Sequence, residues 1–252
     1  MQEINGQWIM SGVDIDSPDC IHSVDELADY IEKVGFLPLF ACQIPGFSVE
    51  EHTYPSFWWS GDKAVDPWEW RAIIAESGKI AYGKFFDNKA GFISKKYFPY
   101  FANLRRDGYD FDALWDDGKA SLRQKKIMDL FDMNTRLFSF EIKQAAGFGK
   151  GKEKNFEGTL TGLQMSTYLC MRDFKKKRNK AGREYGWDVA IYALSEQLFG
   201  YKHVTKAYKE SPEESYKTIE KQFKKYFGDA DERAIEKMIR GKISRDKVIG
   251  GK

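Results

Sequence analysis

The stretch that decides the fold is residues 160–194, LTGLQMSTYLCMRDFKKKRNKAGREYGWDVAIYAL. It begins with apolar residues at helical spacing and continues as two strand-like segments on either side of RNKAG. Asn179 and Gly182 in RNKAG suit the turn of a hairpin with a loop of three to five residues. The stretch therefore predicts a helix followed by a two-stranded hairpin.

Two further helical patterns precede this stretch. ASLRQKKIMDLFD has Leu122, Ile127 and Leu130 at helical spacing, and SFEIKQAAGF follows with Ser139 as a candidate cap. Three helices and a hairpin are the order of a winged helix-turn-helix, whose third helix enters the major groove while the hairpin contacts the backbone or minor groove. We therefore predict an α+β chain with a winged helix-turn-helix in its C-terminal half.

The hairpin, which would be the wing, is rich in cations. Seven lie within twelve residues, and Asp173 and Glu184 are the nearby acids. Cations on such a hairpin can neutralise phosphates, and each contact adds about 0.9 to the slope of log K against log salt. The alternative is an edge hairpin that its lysines protect from aggregation. We predict that the hairpin contacts duplex DNA through these cations. They are Arg172, Lys175, Lys176, Lys177, Arg178, Lys180 and Arg183.

The third helix, over residues 155–169, has one apolar face and one face with little bulk. Gly158, Gly162 and Ser166 recur every four residues on the second face, so another surface can approach the backbone closely. That surface would be a phosphate backbone or, equally, another helix, as in a homodimer. The predicted DNA contacts at this helix and the loop before it are Lys152, Lys154, Asn155, Thr159 and Ser166.

The N-terminal part, residues 1–118, is acidic and rich in aromatic residues. It has 10 Lys and Arg against 20 Asp and Glu, whereas residues 119–252 have 30 against 18, which suggests that one half meets a polyanion. Its aromatic residues predict an aromatic α+β core or, alternatively, a stacking pocket for a planar ligand. The candidate pocket residues are Trp58, Trp59, Trp68, Trp70, Arg71 and Tyr82.

Four regions are predicted along the chain. Residues 1–118 form the aromatic-rich α+β part, 119–194 the winged helix-turn-helix, 195–243 C-terminal amphipathic helices, and 244–252 a disordered tail. Three widely spaced cysteines indicate free thiols in a reducing compartment, and the sequence contains neither a signal peptide nor an apolar run of membrane-spanning length. We expect a cytoplasmic protein without a membrane partner.

Several segments carry a family resemblance: DPWEWR, YGKFF, FISKKYFPYF, RRDGYDFD, AGFGKGKEKNFEGTLTGLQMSTYL and YGWDVAIYA. Together they resemble the AlkZ-related family of bacterial winged-helix proteins over roughly residues 24–227. This family is distantly related to winged-helix DNA glycosylases that excise alkylated bases or unhook crosslinks. The resemblance therefore implies a winged helix and a link to DNA repair.

The same resemblance does not transfer a catalytic residue. Those glycosylases use a Gln-x-Asp or Gln-x-Gln motif, whereas the nearest match is Gln164-Met165-Ser166, inside a predicted helix. A structural role for the Gln164 amide is the better interpretation. If the protein were nevertheless glycosylase-like, Asp66, Glu69 and Asp110 would be the candidate bases, so enzymatic activity stays open.

Other kinds of site are disfavoured. The aspartates of DGYDFD are better explained as helix caps than as cation ligands, and the scattered Cys and His residues lack zinc spacing. We predict no metal and no cofactor. A winged helix that binds another protein without nucleic acid remains the third hypothesis.

Overall fold

The computed structural model describes residues 2–4, 7–228 and 230–241, so the predicted disordered tail lies outside the described residues. The strands are β1 Gln2–Ile4, β2 Gln7–Ile9, β3 Phe36–Pro38, β4 Ile80–Phe86, β5 Lys89–Ser94, β6 Leu137–Phe138, β7 Leu169–Arg178 and β8 Glu184–Leu194. The helices are α1 Val24–Val34, α2 Pro67–Ser77, α3 Phe98–Arg106, α4 Phe111–Asp116, α5 Leu122–Met128, α6 Ser139–Ala145, α7 Phe156–Met165, α8 Ser195–Phe199, α9 Tyr201–Val204, α10 Pro212–Phe227 and α11 Glu232–Arg240.

Six strands form one antiparallel sheet in the order β3–β5–β4–β7–β8–β6, and β1 and β2 form a separate pair. An α+β chain is thereby confirmed, because helices surround a sheet in which every pairing is antiparallel. The sheet crosses the predicted boundary at residue 118, since Tyr82 of β4 is paired with Met171 of β7. Both halves of the chain thus share one sheet.

Local capping residues set the helix boundaries in the N-terminal half. The Ser23 hydroxyl accepts from Glu26 N at 3.3 Å, and α1 ends at Gly35, whose φ of 97° suits glycine. Asp66 caps α2 by accepting from Trp68 N at 2.9 Å, with Pro67 in the first turn. The stretch after α1 contains the edge strand β3.

The C-terminal half has the element order α5–β6–α6–α7–β7–β8. The short strand β6 was not predicted; Leu137 and Phe138 pair with Tyr192 and Ile191 of β8. Ser139 is the first residue of α6, and Phe138, not Ser139, occupies the cap position. The helix α7 ends at Met165, so Ser166 lies just beyond it.

Two adjacent arginines of α3 join the halves. Arg105 donates to carbonyls at the ends of β4, α7 and α11, and Arg106 pairs with Glu196 at 2.5 Å and donates to Thr167 O at 2.7 Å. Both are buried in a continuous apolar core that includes residues of α1, the sheet, α7 and α10. Within the described residues, no helix is both long and apolar enough to cross a membrane.

Candidate nucleic-acid interface

The β7–β8 hairpin extends beyond the sheet to which it belongs. Its inner part is core, since Leu169 to Asp173 of β7 are buried, whereas residues 178–188 are all exposed. About five residues on each side of the turn thus project, which at 3.3 Å per residue amounts to roughly 15 Å. A projection of this length can reach a partner that the body of the protein does not touch. We call this outer part, residues 175–188, the wing.

The turn of the wing is ordered by Asn179, as its sequence predicted. The Asn179 carboxamide oxygen accepts from Ala181 N at 2.9 Å and from Arg183 N at 3.1 Å. Gly182 adopts the left-handed conformation with a φ of 77°. The turn therefore fixes the backbone that carries Lys180 and Arg183.

The cations of the wing fall into two groups. Lys175 pairs with Asp173 at 2.6 Å, Arg178 pairs with Glu184 at 3.1 Å, and the Lys177 ammonium lies 4.8 Å from the centre of the Phe140 ring. In the described part of the chain, the other three have no ion-pair partner, so they are available to an external anion. These three are Lys176, Lys180 and Arg183.

Arg172, the first cation of the predicted cluster, is not part of the surface. It is 8% exposed, and its guanidinium donates to Ala75 O near the end of α2. Carbonyls in the last turn of a helix lack partners within the helix, so a cation there stabilises the helix end. Arg172 therefore attaches α2 to β7, and the exposed charge begins at Lys175.

Two aromatic side chains on the wing were missed by the sequence analysis. Trp187 is 92% exposed and Tyr185 is 52% exposed. Both belong to YGWDVAIYA, which was predicted only as a strand of the hairpin. Gly186, inside that strand pattern, was the available signal, because an isolated glycine in a strand often marks a bulge.

The exposed side of α7 borders a groove of about 320 Å³. Asn155 and Gly158 are exposed there, as predicted, and Asn88 of the β4–β5 turn forms part of the opposite wall. A Cβ at Gly158 would overlap the exposed Asn155 carboxamide, which would have to move. Gly162 has open space beside it. The groove therefore exposes helix backbone, although Glu157 on its wall adds a negative charge.

The other predicted DNA contacts near α7 differ in their exposure to solvent. Lys152 and Lys154 are exposed on the loop before the helix. Thr159 was assigned to the exposed face, but this is wrong: it is 3% exposed, and its hydroxyl donates to Asn155 O at 2.9 Å. Ser166 is half-buried beyond the helix end. Only part of the predicted strip is thus accessible.

Gln164 has a structural role, as expected. It is 1% exposed; its oxygen accepts from Lys84 N at 3.0 Å, and its nitrogen donates to Leu160 O at 3.1 Å. Both ends of the amide are occupied, and the bond to Lys84 attaches α7 to β4. The same attachment keeps this face of α7 from reaching a major groove.

Three of the six aromatic-pocket candidates, Trp58, Trp68 and Arg71, lie in a row of ring contacts. Trp58 lies 5.4 Å from Phe40, which lies 6.3 Å from Trp68, between ring centroids. The Arg71 guanidinium carbon then lies 3.7 Å from the Trp68 ring centre and 4.3 Å from that of Phe174. Burial between these rings lowers the pKa of Arg71.

The rest of that set is core or surface. Trp70 and Tyr82 are 0% and 3% exposed, and the indole nitrogens of Trp58 and Trp70 donate to Thr53 Oγ1 and Lys63 O. Because these polar atoms are already bonded internally, the residues serve as core. Trp59 is the exception at 49% exposed.

Two of the three candidate bases are occupied by internal hydrogen bonds. The Asp66 carboxylate accepts from the backbone nitrogens of Trp59, Gly61 and Trp68, and Asp110 caps α4 by accepting from Ala113 N at 2.9 Å. These contacts give both carboxylates a structural role, and Glu69 lies in the first turn of α2. Among the described residues, the wing and the α7 groove are therefore the candidate interface.

Comparison with known proteins gives one match. The family model described as AlkZ related matches residues 21–240. No curated protein and no solved structure matches the chain.

Proposed function

The chain belongs to the AlkZ-related family, and on that premise we propose that it binds duplex DNA through the basic wing, in a role linked to DNA repair. The observation that carries the proposal is the projecting wing, on which Lys176, Lys180 and Arg183 have no ion-pair partner among the described residues. Phosphate contacts by such cations dominate the affinity of most DNA-binding surfaces.

We further propose that residues 119–194 are a winged helix. The order α5–β6–α6–α7–β7–β8, with β6 paired to β8, supports this assignment. Its third helix differs from a typical recognition helix, since Gln164 attaches α7 to β4 and Glu157 lies on its open side. We therefore assign the main contact to the wing, with Lys152, Lys154 and Asn155 as secondary contacts.

The test is fluorescence anisotropy with a labelled random duplex over a salt series. Combined replacement of Lys176, Lys180 and Arg183 by Ala should lower the slope of log K against log salt by about 2 to 3, at about 0.9 per phosphate contact. The matched control replaces three exposed lysines outside the wing, Lys202, Lys217 and Lys221, by Ala. These have no ion-pair partner in the described ranges either.

The comparison separates local contact from net charge. If the wing variant loses affinity and the control keeps it, the wing is the contact surface. An equal loss in both variants means that net charge alone attracts DNA, and no binding of the unmodified protein at low salt overturns the proposal.

A further inference from the structure

The wing contains a bulge on β8 in which three residues oppose one. Lys175 is paired with Val189 and Lys177 with Tyr185, so Lys176 alone opposes the three residues Gly186 to Asp188. Gly186 has a φ of 74°, in the left-handed region that favours glycine. Extra residues in one strand bend it and redirect a side chain, and here Trp187 lies at the middle of the bulge.

Trp187 is placed where it contributes little to the fold. At 92% exposed, it is the most exposed large apolar residue in the described part of the chain, ahead of Met133 at 90%. A buried indole stabilises a protein, whereas an exposed one forgoes that gain. A bulge that directs tryptophan into solvent thus suits a contact outside the molecule.

The surroundings of Trp187 indicate the chemistry of that contact. Lys176 lies opposite the bulge, Lys180 and Arg183 follow at the turn, and Tyr185 is half-exposed two residues away. Cations combined with an exposed ring match a ligand that has both phosphates and unstacked flat bases. A purely apolar protein partner would not use the cations.

We propose that Trp187 stacks on a base where a DNA duplex is locally open, so that the wing prefers duplex containing a disrupted base stack. The inference rests on the proposed function, because the same wing must first contact phosphates. Inserting an apolar side chain into intact duplex requires unstacking of a base step. An abasic or mismatched step has already lost part of that stacking, so binding there is favoured.

The experiment compares two labelled duplexes of equal length and sequence, one of which has an abasic-site analogue at its centre. The unmodified protein should bind the abasic duplex about 10-fold more tightly, in line with the stacking of one aromatic ring on one base. Trp187→Ala should remove this preference, whereas the separate variant Trp187→Phe should keep most of it. The fold tolerates both changes, because the side chain is almost fully exposed.

A second readout and a control make the result specific. Indole emission should change on binding of the abasic duplex, and the change should disappear in Trp187→Phe. Tyr201→Ala, which removes a 56% exposed aromatic ring near Asp110, should keep the preference.

The failure modes can be distinguished. Equal, salt-dependent binding of both duplexes by the unmodified protein overturns the stacking proposal and leaves the proposed function intact, as does a preference that survives Trp187→Ala. Absence of binding to either duplex at low salt overturns both. Concentration-dependent self-association that Trp187→Ala abolishes would assign the ring to a protein interface instead.

Discussion

Arg105 and Arg106 are adjacent in α3, yet their charges are balanced in different ways. Arg106 has a carboxylate partner in Glu196, which raises the pKa of its guanidinium against the effect of burial. Arg105 has no acidic partner among the described residues and donates to four carbonyls, at distances of 2.8 to 3.1 Å. Burial lowers its pKa to about 9, so it stays cationic at neutral pH. The carbonyls of two helix ends take the place of a counter-ion.

Replacement of Arg105 by Met should therefore destabilise the protein strongly. Four buried carbonyls would lose their donor, and we expect a loss of about 2–4 kcal/mol in the free energy of unfolding. Urea denaturation followed by circular dichroism measures it. The control is Arg240→Met on α11, where the ion pairs with Glu213 and Glu236 are solvent-exposed and a loss below about 1 kcal/mol is expected. Similar losses in both variants would contradict the role of Arg105.

At the scale of elements, the two glycines of α7 have different surroundings. A Cβ at Gly158 would displace the Asn155 carboxamide, but a Cβ at Gly162 would meet nothing within 4 Å. A glycine inside a helix destabilises it relative to alanine. The fold alone therefore does not require glycine at position 162, whereas a partner lying close to the helix backbone would.

Gly162→Ala should separate these two roles. The free energy of unfolding should rise by about 0.8–1.0 kcal/mol, because alanine is the better helix former and the space is open. If DNA lies against this part of the groove, the same variant should bind duplex more weakly in the anisotropy assay. Greater stability with unaltered binding would exclude the α7 groove from the interface. Gly158→Ala, which displaces Asn155, serves as the disruptive comparison.

At the scale of the whole molecule, three buried tyrosines of the shared core couple folding to alkaline pH. Burial raises the pKa of Tyr82, Tyr168 and Tyr192 above the usual value near 10. The folded protein therefore keeps protons that the unfolded chain releases above that pH. Their contribution to stability is complete below about pH 10 and is lost as the pH rises further.

These three tyrosines should contribute a fall of about 4 kcal/mol per pH unit to the free energy of unfolding above pH 10, at about 1.4 kcal/mol per retained proton. Urea titrations at several alkaline pH values would measure the slope, and tyrosinate absorbance should appear together with unfolding. Tyr82→Phe should reduce the slope by about 1.4 kcal/mol per pH unit, whereas Tyr185→Phe at the exposed wing should not change it. Gradual ionisation within the folded protein would contradict this prediction.

Local signals sufficed to predict most elements. Ser23, Asp66 and Ser211 are residue types favoured at helix starts and each caps a helix, and Asn179 orders the wing turn. Long-range partners could not be predicted, because no local pattern specifies them. The pairing of Tyr82 with Met171, the burial of Arg172 and the attachment of Gln164 to Lys84 all depend on residues far apart in the chain.

The same limit applies to the candidate interface. The cations of the wing were found from composition, but their pairing with Asp173 and Glu184 depends on strand register. Thr159 was assigned to the exposed side because helical periodicity does not reveal that the N-terminal half covers part of α7. Trp187 was overlooked because its exposure depends on a bulge, and strand register cannot be read from the local sequence.

The four carbonyls around Arg105 belong to Phe85, Met165, Met238 and Ile239. During synthesis these oxygens leave the ribosome in that order, and the last two come more than 130 residues after the arginine itself. Until then the guanidinium stays hydrated, and the aromatic layer around α3 cannot close over it. The hydrogen bonds of Arg105 can therefore be completed only after α11 has been synthesised, so the core of the N-terminal half depends on the last helix of the described chain.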